Sequence, residues 1–146
     1  MEIKLRKASI QDKPEIVRIA SFLYIEMPNF VWNDDNFVSK QIGRESYYVA
    51  ELQGKIVGII SLRQRRNKMY IETLAVDEKY RQQGVSSSLL EFAKKYTKEN
   101  GLNILFACSF FEYNAVDFYL KQGFVMLPVK GKYSGHQYHC FEMKID

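Results

Sequence analysis

The sequence contains few of the residues that mark extracellular, fibrous or membrane-bound proteins. Of its 146 residues, 3 are proline, 8 are glycine and 2 are cysteine, and none of these types is clustered. Low-complexity linkers and a disulfide framework are therefore excluded. No apolar run reaches the roughly 18 to 20 residues of a membrane span, and the start MEIKLRK lacks the apolar centre of a signal peptide. We expect a cytoplasmic protein that has no membrane partner.

An excess of one charge is also nearly absent. The 21 Lys and Arg residues only slightly exceed the 17 Asp and Glu residues, which gives a net charge of +4. The one dense basic run, Arg63–Lys68, is typical of a solvated turn, so we expect no nucleic-acid partner. Cys108 and Cys140 lack the spacing of metal ligands, so we expect two buried thiols and no metal site.

Apolar residues make up 47% of the chain and aromatic residues 14%. The first figure is typical of soluble globular proteins, and the second favours a core that contains a β-sheet or a pocket lined with aromatic rings. At 146 residues, the chain is expected to form one domain, residues 1–146.

The spacing of apolar residues predicts the secondary structure. Strands are predicted where apolar and polar residues alternate or short apolar runs occur, and helices where apolar residues recur every three to four positions. The predicted elements are a strand at 2–7, helices at 11–26 and 34–41, strands at 47–52, 56–62 and 69–76, a helix from 84 to 100, a strand at 103–109 buried on both faces, a helix at 113–122, and strands at 124–128 and 137–145. The order βααβββαβαββ predicts an α/β (α+β) fold with a mixed, mostly antiparallel sheet of six to seven strands and helices on both faces.

The segment from Leu74 to Leu90 has the most informative pattern for function. It is a predicted strand, a short turn and a helix whose start contains Gly84 and three serines. The first N–H groups of a helix lack partners within the helix, so a helix start with a glycine can bind phosphate, although many ordinary turns share this pattern. The sequence lacks GxxxxGK[ST] and GxGxxG, so neither a nucleoside-triphosphate loop nor a dinucleotide fold is indicated.

Several motifs resemble those of the GNAT acetyltransferase superfamily. Residues 81–86, RQQGVS, are similar to its [Q/R]xxGx[G/A] signature, and residues 115–124, AVDFYLKQGF, are similar to its AxxxYxxxGF signature. The hairpin at 49–58 and the opening segment around Arg6 also fit the family, so the resemblance spans nearly the whole chain. Ser86 departs from the usual Gly or Ala, and Glu112 stands where the family often has Asn.

The resemblance implies that acetyl-CoA binds between the strand that ends at Val76 and the helix that follows. Leu74, Ala75 and Val76 would bind the pantetheine arm through their backbone, as if the arm were an added strand, and the family's fourth and fifth strands separate to admit it. The pyrophosphate would be held by the loop and helix start, residues Arg81, Gln82, Gln83, Gly84, Val85, Ser86 and Ser87. Asn114 and Tyr119 would complete the coenzyme A site.

The resemblance also implies transfer of the acetyl group to a primary amine by direct attack in a ternary complex. An amine of pKa about 10.4 is protonated at pH 7, and presenting it neutral costs about 4.6 kcal/mol. Glu72, on the strand before the loop, is our candidate for the base, and Glu26 and Glu112 are weaker candidates. Tyr119 occupies the family's general-acid position, from which its phenol could donate to the leaving sulfur.

The family binds its acceptor with the first two helices, their loop and the last hairpin. In this chain those regions contain many aromatic residues and one carboxylate, namely Phe22, Tyr24, Glu26, Phe30, Trp32, Tyr133, His136 and Tyr138. They suit an amine on an apolar body, either a small molecule or a peptide, or else they belong to the core. Two other functions stay open: a non-catalytic acyl-CoA sensor or interaction module of this fold, and an RNA-associated protein that binds through Arg63–Lys68. We expect a monomer or a homodimer.

Overall fold

The computed structural model describes residues 2–146. The strands are β1 (Ile3–Lys7), β2 (Tyr47–Leu52), β3 (Lys55–Arg65), β4 (Lys68–Val76), β5 (Ile104–Phe110), β6 (Val125–Tyr133) and β7 (His136–Lys144). The helices are α1 (Lys13–Ala20), α2 (Asp35–Gly43), α3 (Val85–Glu99) and α4 (Val116–Lys121). This order of elements confirms the predicted βααβββαβαββ arrangement.

The strands form one sheet in the order β1-β2-β3-β4-β5-β7-β6. Among the described residues, all neighbouring strands run antiparallel except β4 and β5, which are parallel and joined by α3. A parallel pair needs a crossover connection of this kind, whereas antiparallel strands can be joined by short turns. The mixed, mostly antiparallel sheet is therefore confirmed, with seven strands.

Alternating side chains of the sheet pack into two hydrophobic clusters, one on each face. Tyr47, Val49 and Ile59 pack with α1 and α2, whereas their neighbours Tyr48 and Ile60 pack with α3. Successive strand residues point to opposite faces, so this alternation places the two helix pairs on opposite sides of the sheet. None of the helices in residues 2–146 combines the length and hydropathy of a membrane span.

Helix α1 is shorter than the predicted 11–26. It begins at Lys13 rather than at residue 11, after a 3-10 turn at Ile10–Asp12, and it ends at Ala20, where a second 3-10 turn follows. The Ser21 hydroxyl donates a hydrogen bond to the Val17 carbonyl oxygen (2.8 Å), a bond that competes with regular helix geometry. The chain then becomes extended at Tyr24, with ψ at 129°, and crosses towards α2.

The two later hairpins are longer than predicted. Strand β3 continues through Arg63 to Arg65 and pairs with Lys68–Tyr70, so the basic run is mostly strand, and only Arg66 and Asn67 form the turn. Likewise, β6 extends to Tyr133 and β7 begins at His136. The side chains in these extensions are largely polar, and cross-strand pairing rather than alternation of hydrophobicity determines where the strands end.

The prediction that the strand at 103–109 is buried on both faces is wrong. Leu105 and Ala107 are buried beneath α3, but Cys108 on the other face is exposed. Helices α1 and α2 pack over β3 and β4 and leave that face of β5 uncovered. The expectation of two buried thiols is therefore wrong for Cys108 and correct only for Cys140.

Candidate active site

Strands β4 and β5 pair over a short stretch and then separate. The paired residues are Met69–Ile71 with Leu105–Ala107. The register of β4 with β3 shifts between Ile71 and Thr73, so Glu72 is the extra residue of a β-bulge. A bulge bends its strand and increases the local twist. The segment from Thr73 to Val76 therefore has an edge that no residue of β5 pairs with, facing into an open split in the sheet.

The loop after β4 leads into the start of α3 at this split. Gly84 precedes the helix with φ at 83°, a left-handed conformation that glycine adopts without strain and a β-branched residue does not. The first helical hydrogen bond here runs from the Ser88 N–H to the Gly84 carbonyl oxygen (3.0 Å). The N–H groups of Val85–Ser87 thus have no partner within the helix, and no acidic side chain occupies its first turn. This helix start is suited to bind an anion.

Two contacts hold the helix start against the sheet. A Cβ atom on Gly58 of β3 would lie 2.7 Å from Val85 Cγ1, so only glycine lets α3 approach the sheet this closely. At the beginning of the loop, the buried Asp77 carboxylate accepts hydrogen bonds from Arg18 Nη2 (2.9 Å) and from the Lys79 N–H (3.0 Å). The anion-binding helix start is therefore fixed beside the end of β4.

Tyr119 of α4 lies at the split with its ring buried. The ring stacks on Phe141 with centroids 4.6 Å apart and contacts Phe124 edge-on at 5.3 Å. Burial raises the pKa of the Tyr119 phenol above its ordinary value of 10.0, and the neighbouring Cys108 thiol adds to the shift. Tyr119 consequently keeps its proton near neutral pH and can act as a donor.

Glu72, at the bulge, is held from two sides. Arg65 Nη2 lies 3.2 Å from Glu72 Oε2, and the buried Gln41 Nε2 lies 3.3 Å from Oε1. Gln41 also donates to Ser61 Oγ (3.2 Å), so its amide is fixed from below. The Arg65 guanidinium rests over the Tyr70 ring, 5.4 Å from the centroid.

A cluster of aromatic rings closes the other side of the split. Its centre is Phe110, whose ring lies within 5.8 Å of Trp32 and 6.3 Å of Tyr133, centroid to centroid. Tyr133 Oη donates to the Asn29 carbonyl oxygen (2.8 Å), and Tyr113 Oη donates to the Leu23 carbonyl oxygen (2.6 Å). These two bonds tie the α1–α2 connection to the far end of the sheet.

These features line one cavity of about 1100 Å³. The sequence-predicted residues that line it are Glu72, Leu74, Ala75, Val76, Arg81, Gln82, Gly84, Val85, Ser86, Ser87, Tyr119, Phe22, Trp32, Tyr133 and Tyr138. The other predicted residues, Gln83, Asn114, Tyr24, Glu26, Phe30 and His136, are not among the lining residues. Tyr24 is 54% exposed and packs edge-on against Phe30, and Asn114 is an exposed left-handed residue between β5 and α4.

The cavity also contains residues that the sequence analysis did not propose. Tyr70, Phe106, Phe110 and Tyr113 contribute aromatic surface, and Arg65 contributes a cation. Alternation along β5 could have identified Phe106 and Phe110, because they share a face. No local signal marks Arg65, because its polar run is typical of a turn and only the pairing of β3 with β4 brings it to the cavity.

Cys108 and Cys140 meet on the floor of the cavity. They are directly opposite each other on β5 and β7, with their Sγ atoms 3.6 Å apart. Cys108 can be reached from the cavity but is enclosed by neighbouring groups. This desolvation, together with the Cys140 thiol, raises the pKa of Cys108.

The remaining titratable candidates lie outside the cavity. The Glu112 carboxylate pairs with His136 Nδ1, and this contact holds the pKa of Glu112 below its usual range. Glu26 is exposed. Within residues 2–146, no group of three or more His, Cys, Asp or Glu side chains is arranged to hold a metal ion.

Comparison with known families shows which kind of protein contains this cavity. A model of the acetyltransferase (GNAT) family matches residues 14–124 of the sequence. The chain belongs to this family. The resemblance found in the loop at 81–86 and the segment at 115–124 is thereby confirmed, and the split sheet and helix start described above belong to an acetyltransferase fold.

Solved structures share the fold of this acetyltransferase at low sequence identity. Ard1 from Thermoplasma volcanium superposes with a TM-score of 0.87 at 21% identity, covering 100% of this chain and 99% of that one. PaiA N-acetyltransferase from Thermoplasma acidophilum, in complex with coenzyme A, gives 0.83 at 21% identity with 99% of each chain covered. The ribosomal-protein-S18-alanine N-acetyltransferase from Escherichia coli gives 0.79 at 19% identity, covering 99% and 95%. A comparison with curated protein sequences finds no significant match.

Proposed function

We propose that this acetyltransferase uses acetyl-CoA to acetylate a primary amine by direct attack in a ternary complex. One observation supports this above all: a single cavity of about 1100 Å³ joins the anion-binding start of α3, the unpaired edge of β4, and the side chains of Tyr119 and Glu72. An acyl donor and an amine can therefore meet beside a proton donor and a carboxylate.

The residues of the split fit coenzyme A in both charge and hydrogen-bonding capacity. The free N–H groups of Val85–Ser87 and the nearby Arg81 would bind the pyrophosphate. The unpaired edge of Leu74–Val76 offers backbone groups to the amides of the pantetheine arm. Acetyl-CoA would supply the acetyl group as a thioester. Buried backbone groups left unpaired are unfavourable, so binding should stabilise the folded protein.

Glu72 would accept the proton of the acceptor amine. Each of its carboxylate oxygens receives one hydrogen bond from the protein, from Gln41 or Arg65, and each retains acceptor capacity on the cavity side. The side chain is 16% exposed, so a bound amine can reach it while most bulk water is excluded. A carboxylate in this position reduces the cost of about 4.6 kcal/mol of presenting a neutral amine at pH 7.

Tyr119 would provide the proton for the leaving sulfur. Its raised pKa keeps the phenol protonated, and its ring is fixed by Phe141 and Phe124 so that the hydroxyl has a defined position at the split. Donation from a phenol of high pKa to a thiolate is uphill as a complete transfer, so the phenol acts through a strong hydrogen bond, or through transfer coupled to loss of the amine proton.

The test is release of free thiol from acetyl-CoA in the presence of a panel of primary amines, with mass spectrometry of the acceptors. The panel includes peptides with free N-termini, because the named acceptor of the Escherichia coli neighbour is an alanine of a ribosomal protein. Thiol release that depends on an amine, together with an acetylated product, is the expected result. Binding of coenzyme A without thiol release across the panel would instead favour the non-catalytic acyl-CoA module.

A further inference from the structure

The acceptor end of the cavity lies far from the anion-binding helix start. Arg65 and Tyr70 stand near the beginning of β4, whereas α3 starts just after its end. From Tyr70 to Val76, at about 3.3 Å per residue, the strand spans about 20 Å. The Arg65 end is therefore available to the acceptor when coenzyme A occupies the helix start.

Charged side chains at this end form a single pair of opposite sign. Of the described residues that line the cavity, only Arg65, Glu72 and Arg81 are charged, and Arg81 is at the other end. The nearby carboxylate of Glu142 is already paired with Lys68 outside the lining. A polycationic acceptor would thus find no unpaired carboxylate, whereas an acceptor with one positive and one negative group would match the pair.

The distance between the two charged groups of this pair suits the ammonium and carboxylate groups of an α-amino acid. Arg65 Nη2 and Glu72 Oε2 are 3.2 Å apart, which is comparable to the separation of the ammonium and carboxylate groups in such a molecule. Arg65 donates a single hydrogen bond to Glu72, its side chain is 53% exposed, and the Tyr70 ring supports its guanidinium. Its remaining N–H groups can bind a carboxylate in a bidentate manner.

The surface that leads from this pair along β5 is aromatic. Phe106 lies beside Tyr70, with ring centroids 4.6 Å apart, and further along the strand Phe110 packs with Trp32, Tyr133 and Tyr138 towards the helix-start end of the cavity. The Tyr138 ring lies directly against the backbone of Gly131, where an added Cβ atom would come within 2.0 Å of its Cζ atom. These rings offer a large apolar side chain favourable contacts but provide no charge to a second ammonium group.

We infer that the acceptor is a free α-amino acid with an aromatic or other large apolar side chain, bound as a zwitterion with its ammonium group at Glu72 and its carboxylate at Arg65. This inference rests on the proposed N-acetyltransferase function. It distinguishes this chain from an acetyltransferase for peptide N-termini, whose α-carbonyl is an amide, and from one for polyamines.

The test compares acceptors that differ only at the carboxylate. Acetyl-CoA-dependent rates are measured with L-phenylalanine, L-phenylalaninamide and phenethylamine, and with spermidine as the polycation. The wild-type kcat/KM is expected to be at least roughly ten-fold higher for L-phenylalanine than for the other three, because only it offers a charged partner to Arg65. Equal values for L-phenylalanine and phenethylamine would overturn the inference.

The variant Arg65→Gln separates carboxylate binding from an indirect effect on Glu72. Because Arg65 also holds Glu72, both acceptors are expected to lose some activity, but kcat/KM for L-phenylalanine should fall at least roughly ten-fold more than that for phenethylamine. The matched control is Arg63→Gln, which removes the same charge from an exposed residue of the same strand that does not line the cavity. Equal loss for both acceptors in Arg65→Gln, or the same loss in the control, would overturn the inference.

A binding measurement without turnover supplies the second readout. Calorimetric titration with N-acetyl-L-phenylalanine is expected to show weaker binding to Arg65→Gln than to the wild type, and unchanged affinity would contradict carboxylate binding. If only peptides are acetylated, the inference of a free amino acid as acceptor is wrong, but the proposed N-acetyltransferase function stands. If no amine is acetylated at all, both the proposed function and this inference are wrong.

Discussion

Replacing Tyr119 with Phe is expected to separate catalysis from folding and cofactor binding. The substitution retains the ring, so the stack on Phe141 at 4.6 Å and the edge contact with Phe124 at 5.3 Å persist. Only the hydroxyl is lost, and no side-chain hydrogen bond within residues 2–146 contributes to its pKa shift. The free energy of unfolding should therefore change by less than about 1 kcal/mol. Loss of a positioned acid should lower kcat at least ten-fold, because such groups contribute factors of roughly 10² to 10⁴, or about 3 to 5 kcal/mol, to catalysis.

The assay measures kcat from thiol release at saturating acetyl-CoA and amine, the dissociation constant of coenzyme A by calorimetry, and the melting temperature. Tyr96→Phe is the matched control, because it removes a hydroxyl from a tyrosine of α3 that packs on Tyr48 and does not line the cavity. A kcat for Tyr119→Phe equal to that of wild type would remove Tyr119 from the mechanism. A parallel loss of coenzyme affinity and melting temperature would assign it a structural role instead.

Three further predictions test the cofactor site, the fold and the cavity floor. Gly84→Val is expected to weaken coenzyme A binding at least roughly ten-fold by calorimetry, because a β-branched residue is strained at a φ of 83°; unchanged affinity would contradict the anion-binding role of the helix start. Asp12→Asn should lower the free energy of unfolding in urea by about 1 to 2 kcal/mol at pH 7, since Arg6 lowers the pKa of Asp12 from 3.8 to about 2 and solvent screens part of the interaction. The folded-state pKa is depressed, so this stability is complete above about pH 4 and is lost as the pH falls towards 2; a difference that does not depend on pH would exclude the ion pair as its source. Iodoacetamide should label Cys108 slowly at pH 7 and faster at higher pH because its pKa is raised, bound coenzyme A should protect it, and Cys140 should stay unlabelled. Labelling that coenzyme A does not alter would place Cys108 outside the occupied part of the cavity.

Much of the fold follows from local patterns in the sequence. The β2–β3 hairpin is predictable because two β-rich runs flank Gly54, which adopts a φ of 78° in the turn. Helix α3 is predictable at both ends, since Gly84 and Gly101 both adopt the left-handed conformation that ends or precedes a helix. These features depend on residues close in sequence, and periodicity reports them directly.

The order of the last strands could not be read from such patterns. Strand β7 inserts between β5 and β6, so Cys108 faces Cys140 although the two are far apart in sequence. Pairings of this kind depend on the packing of the whole sheet, and neither residue carries a local signal for them. The same holds for the uncovered face of β5, because which helix covers a strand depends on where α1 and α2 pack.

The parts of the candidate site that lie within a sequence motif could be predicted. The parts that arise from contacts between residues far apart in the sequence could not. The loop around Gly84 and the position of Tyr119 follow from the motifs at 81–86 and 115–124. The pairing of Arg65 with Glu72 depends on the register of the β3–β4 hairpin and on the bulge at Glu72. The role of Phe110 as the centre of the aromatic cluster depends on contacts with the α1–α2 connection and the β6–β7 hairpin.

The most direct measurement is a calorimetric titration of the purified protein with coenzyme A, followed by its melting temperature with and without the ligand. The split between β4 and β5 and the free N–H groups of α3 predict a saturable heat of binding at one site and a clear rise in melting temperature. Absence of both at millimolar coenzyme A would contradict the claim that this cavity is built for the acyl donor.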